Sequence, residues 1–112
     1  MAAVYVTNLI INAHSDFSQN FYLGDENTDS LNLTNYQVAS QMRKHASSSS
    51  FVGLGASIVN ASKGQIRVGL TSTQTGSIKP GRYLYDVVIT NPQGSVIKVI
   101  EGMILVREGI TR

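Results

Sequence analysis

His14-Ser15-Asp16 sets three residue types of a hydrolytic triad side by side. A triad is a spatial relay, and consecutive residues on one turn cannot reach one another in that geometry. The tripeptide therefore reads as a solvated turn. The other histidine, His45, follows Arg43-Lys44 far down the chain, which is poor spacing for a metal pair. Asp25, Glu26 and Asp29 cluster in a polar stretch but lack the turn glycine and closing glutamate of a calcium loop. A solvated loop is the plain reading there, with a weak calcium site as its alternative. Gly53-Leu54-Gly55-Ala56-Ser57 has the glycines of a phosphate loop without the following Lys-Ser/Thr or a helix to open. Asp86 lies between Tyr85 and Val87, so it must face solvent or find a partner, because burying it alone is costly. The chain has no cysteine, which removes thiolate zinc, disulfide and cysteine-nucleophile chemistry. The expectation is a protein that is not an enzyme and has no metal or cofactor.

The elements that would position these residues read as strands throughout. Residues 4–11 are rich in β-branched types, and residues 17–23 form a second run closed by Gly24. Tyr36, Val38, Ser40 and Met42 alternate with polar or small residues, as do Ile66, Val68 and Leu70. The glycines of residues 51–59 predict an irregular or bulged strand. Tyr83, Tyr85, Val87 and Ile89 share one face of a strand. Asn91-Pro92-Gln93-Gly94 is a turn leading into a strand over 95–100, with Gly102 as an interruption before a last strand over 103–106. No window of a dozen residues shows a convincing helical period. The prediction is one all-β domain over residues 1–112, an immunoglobulin-like antiparallel β-sandwich of about seven strands.

With 112 residues the chain makes one domain. Only 14% of residues are charged, against about 25% in an ordinary soluble domain. Thirteen serines, eight threonines, eight asparagines and six glutamines take their place. Such a surface suits a protein covered by neighbours, and it equally suits any serine- and threonine-rich β domain. The net charge of +2 comes from scattered residues, not a basic stripe, which speaks against a nucleic-acid partner. No apolar run approaches the ~20 residues of a membrane span, and the start lacks the pattern of a signal peptide.

The most specific local pattern is Ile78-Lys79-Pro80-Gly81-Arg82-Tyr83-Leu84-Tyr85-Asp86-Val87. Pro80 fixes φ and Gly81 frees the backbone for a sharp corner. Tyr83 is placed to tie that corner down through its hydroxyl, as Greek-key sandwiches do, and Tyr85 to continue into the core. Ordinary cross-strand aromatics are the alternative.

At this motif the chain resembles the immunoglobulin-like N-terminal module of tailed-phage upper baseplate proteins and related phage virion proteins. The ordered matches are Asp16-Phe17 with Phe21, Leu33-Thr34-Asn35-Tyr36, Gly64-Gln65-Ile66-Arg67-Val68-Gly69-Leu70, the corner itself, and Gly94, residues 102–106 and Ile110-Thr111-Arg112. Asn35 stands where that family carries glycine, a replacement that a left-handed turn tolerates. The resemblance implies a tail, baseplate or neck component of the virion, made in the host cytoplasm and packed in many copies against other virion proteins. A capsid decoration protein and a host-surface glycan-binding module remain as alternatives. The expected contacts are the chain ends, with Val4, Tyr5, Val6, Val106, Ile110 and Arg112 as candidates, and the loops at 27–32 and 47–50.

Overall fold

The computed structural model describes residues 5–24 and 32–111. In chain order the elements are β1 (Tyr5–Val6), β2 (Leu9–Asn12), β3 (Phe17–Tyr22), β4 (Gln37–Arg43), β5 (Val52–Gly53), β6 (Ser57–Asn60), a 3₁₀ turn (Ala61–Lys63), β7 (Gln65–Leu70), α1 (Ser72–Gly76), β8 (Gly81–Thr90) and β9 (Val96–Arg107). One sheet has the order β1-β9-β8-β4-β5, with β2 also on β9; the other has the order β3-β7-β6. Their inner faces share one core, in which Ile11, Met42, Val87 and Ile104 from the larger sheet meet Ile66 and Val68 from the smaller. The fold is an all-β sandwich.

Period-2 alternation produces this arrangement directly. Along β8, Tyr85, Val87 and Ile89 are buried while Arg82 and Leu84 face out. The turn after β8 closes through Gly94 N–H donating to the Asn91 carbonyl, with Gln93 and Ser95 N–H groups donating to the Asn91 side chain. A bulge between Val87 and Val88 leaves two successive β9 residues, Val99 and Ile100, both in the core.

Four expectations need correction. First, the pairing is not antiparallel throughout: β1 and β2 run parallel to β9. A parallel pair needs a long crossover, and here the crossover is the whole body of the domain between the first and last strands. Second, residues 4–11 are not one strand. The ladder breaks at Thr7-Asn8, although Val6 opposite Glu101 and Leu9 opposite Ile104 keep the same register. Third, Gly102 does not interrupt β9, which runs through it. The residue must be glycine for another reason: a Cβ there would stand 2.1 Å from the Thr7 carbonyl oxygen. Fourth, helix is present. Thr71-Ser72-Thr73-Gln74 closes a capping box that starts α1, a signal the strand reading passed over.

The run over 51–59 is irregular because it changes sheets. β5 pairs with β4 in the larger sheet, and β6 pairs with β7 in the smaller. Between them Leu54 is buried, and Gly55 exchanges backbone hydrogen bonds with Gly69 at 3.0 and 3.1 Å. Counting β1 with β2 and β5 with β6 as two broken strands leaves seven strand lines.

Candidate functional site

The corner is built as follows. Pro80 leads into Gly81, whose φ of +144° suits glycine alone, and β8 begins there. The Tyr83 hydroxyl donates to the Lys79 carbonyl four residues upstream at 2.6 Å, while Lys44 Nζ lies 4.8 Å from the centre of its ring. Tyr85 turns inward and donates its hydroxyl to the Thr7 carbonyl at 2.7 Å. Burial pushes its pKa up to about 12. Tyr85 and the Asn8 side chain, which accepts from Met103 N–H at 3.0 Å, together hold the break between β1 and β2 against β9.

The triad types at 14–16 stay apart in function. The Asp16 carboxylate accepts from Ser72 N–H at 2.8 Å, and the Ser15 carbonyl accepts from the Thr75 hydroxyl at 2.8 Å. The turn thus docks α1, and Asp16 is spent on the backbone there. His14 sits at φ +68° and His45 is exposed on a separate loop. Among the described residues no cluster of His, Asp or Glu could hold a metal ion. Asp25, Glu26 and Asp29 lie outside the described residues. Asp86 is half-buried and paired: Lys98 Nζ stands 3.5 Å from its carboxylate and 3.4 Å from that of Glu101.

The surface that stands out is the outer face of the larger sheet. Register puts Ile10 opposite Leu105 and Leu84 opposite Met103, and all four are exposed. Cross-strand neighbours lie about 5 Å apart, so these side chains form one continuous apolar patch. Beside it runs an open groove of about 590 Å³, lined by Val6, Asn8, Gln41, Arg43, Leu84, Asp86, Lys98, Glu101 and Met103. Arg43 forms one wall. Its guanidinium donates to the Ser48 carbonyl and to the Gln41 side chain, and it lies 4.9 Å from the centre of the Phe51 ring. The serine-rich loop at 47–50 is thereby tied to the rim of the groove.

Of the expected contact residues, Tyr5, Val6 and Ile110 are exposed, Ile110 at 96%. Val106 is corrected: it is 1% exposed in the core and can touch no neighbour, because alternation along β9 turns it inward beside Ile104. Val4, Arg112 and most of the loop at 27–32 lie outside the described residues. Sequence reasoning missed Ile10, Leu84, Met103 and Leu105. The available signal was a lack of alternation: Leu9-Ile10-Ile11 and Met103-Ile104-Leu105-Val106 are unbroken apolar runs, so both faces of those strands are apolar.

Fold and face together define a small all-β sandwich with an exposed apolar patch beside a groove of polar and charged lining. No protein-family model matches the chain, and no curated protein matches it. Among solved structures it is similar to an internalin-like protein of Listeria monocytogenes, at 16% identity and a TM-score of 0.47, over 93% of this chain and 28% of that one. It is also similar to a family 123 glycoside hydrolase from Clostridium perfringens, at 10% identity and a TM-score of 0.48, over 96% of this chain and 24% of that one. The chain spans about a quarter of the length of each.

Proposed function

We propose that the chain is a non-catalytic packing domain of a phage virion, a tail, baseplate or neck component that seats against another virion protein through the outer face of its larger sheet. The observation that carries the reading is the patch of Ile10, Leu84, Met103 and Leu105, exposed on a sandwich whose other large aliphatics are mostly buried. A sheet face left to water ordinarily carries polar side chains, so four apolar ones together fit a covered surface. The low share of charged residues supports the same reading. Many copies in one particle would make a modest contact durable.

The test uses phage particles from a host that carries the coding sequence. Mass spectrometry of purified particles should find the chain in fixed stoichiometry, and Leu84→Asp with Met103→Asp should fold yet be lost from them. Particles without the native chain would overturn the proposal. Copies on the shell instead of the tail, seen by cryo-microscopy, would favour a capsid decoration protein.

A further inference from the structure

The sandwich has four strand edges, and three are blunted. β5 has two residues, the β1–β2 edge is broken at Thr7-Asn8, and β6 is bulged between Ile58 and Asn60. Short, broken and bulged edges resist pairing with another chain. β3 is the exception. Its residues Phe17-Ser18-Gln19-Asn20-Phe21-Tyr22 pair with β7 in unbroken register and carry no charge and no proline.

The hydrogen-bond phase shows which groups are open. Leu23 N–H donates to the Gly64 carbonyl at 2.9 Å, continuing the β3–β7 register by one pair. Antiparallel bonding alternates, so Phe17, Gln19 and Phe21 bond to β7, and Ser18, Asn20 and Tyr22 point N–H and C=O groups away from it. Among the described residues no backbone group pairs with these three. The Gln19 side chain donates to the Asn20 carbonyl at 3.0 Å, and Arg67 Nε donates to the Asn20 side-chain oxygen at 3.2 Å.

We propose that β3 pairs antiparallel with β3 of a second copy about a two-fold axis at Asn20, joining two three-stranded sheets into one of six strands. The open groups are symmetric about Asn20. Ser18 would face Tyr22 of the second copy and Asn20 would face its counterpart, giving about six backbone hydrogen bonds with no open group left over. With no charge on the strand, no like charges are brought face to face on β3 itself. This surface is separate from the apolar sheet face, and the inference does not depend on the virion reading.

The experiment uses the purified full chain, which has no native cysteine. In the proposed pair the two Cα atoms at position 20 lie about 5.5 Å apart, within disulfide reach. Under mild oxidation Asn20→Cys should form a covalent dimer at least about tenfold faster than Val59→Cys on the bulged β6 edge. In sedimentation the native chain should dimerise with concentration, and Asn20→Pro should weaken the dimer by at least about tenfold. Asn20 N–H does not bond to β7, so that variant should keep its fold by circular dichroism; Asn20→Lys is a second disrupting variant that leaves the backbone intact. A native chain monomeric to about 0.5 mM, or equal cross-linking at positions 20 and 59, would overturn the proposal. Both outcomes are read on purified protein, so neither bears on whether the chain is found in particles.

Discussion

The two outer faces of the sandwich differ in how their exposed apolar side chains are grouped. The larger sheet presents Ile10, Leu84, Met103 and Leu105 in paired register beside a groove lined by Arg43, Asp86, Lys98 and Glu101. The smaller sheet presents Ser18, Asn20, Ser57 and Arg67, with Tyr22 and Val59 as exposed apolar residues on two strands that do not pair with each other. Both sheets bury an apolar inner face, so folding alone does not require the difference. An outer aliphatic adds little to folding when water still reaches it, because the hydrophobic gain scales with area removed from water. Burial in the isolated domain therefore accounts for the inner faces and contributes little at the exposed aliphatics of the larger sheet.

Changes to the inner face should have the largest effect. Ile104→Ala removes a fully buried side chain and should cost about 2–5 kcal/mol in chemical denaturation. Its outward neighbour Leu105→Ala should cost about 0.5 kcal/mol or less. Equal losses at the two positions would erase the distinction between faces. Gly102→Ala comes next. Its Cβ would collide with the Thr7 carbonyl, so β1 must shift, at a cost of about 1–3 kcal/mol. Faster amide exchange confined to β1 and β2 would locate that effect.

Tyr85→Phe removes the hydrogen bond to Thr7 and should cost about 1 kcal/mol at neutral pH. The native hydroxyl holds its proton to about pH 12 when folded, against 10.0 for the ordinary group. Between those values the folded state binds more protons than the unfolded state, so stability falls as pH rises. Denaturation midpoints measured from pH 9 to 12 should show Tyr85→Phe losing less than the native chain. The smallest effect belongs to Lys98→Ala on the groove floor. Its ion pairs with Asp86 and Glu101 are about half exposed, so the change should be within about 1 kcal/mol and should vanish at high salt.

Much of this could be read before the fold was seen. Tyr83, Tyr85, Val87 and Ile89 share an inner face because alternation admits no other arrangement along a strand half-buried in a sheet. The turn at Asn91-Pro92-Gln93-Gly94 was legible because proline and glycine constrain the backbone locally. Asn35, at φ +65°, adopts the left-handed turn that its type tolerates. The patch was less legible. The apolar runs at 9–11 and 103–106 showed that both faces of two strands were apolar, but not that those strands lie side by side.

What the residues alone determined is local: strand periodicity, the bend at Pro80-Gly81, and which side of each strand belongs inside. Tertiary structure alone decided that the first strand runs parallel to the last, that Gly102 must admit the Thr7 carbonyl, and that Ile10 meets Leu105. Those facts join positions some ninety-five residues apart, and the pairing of distant strands is selected by how whole faces pack, which no short window of sequence contains.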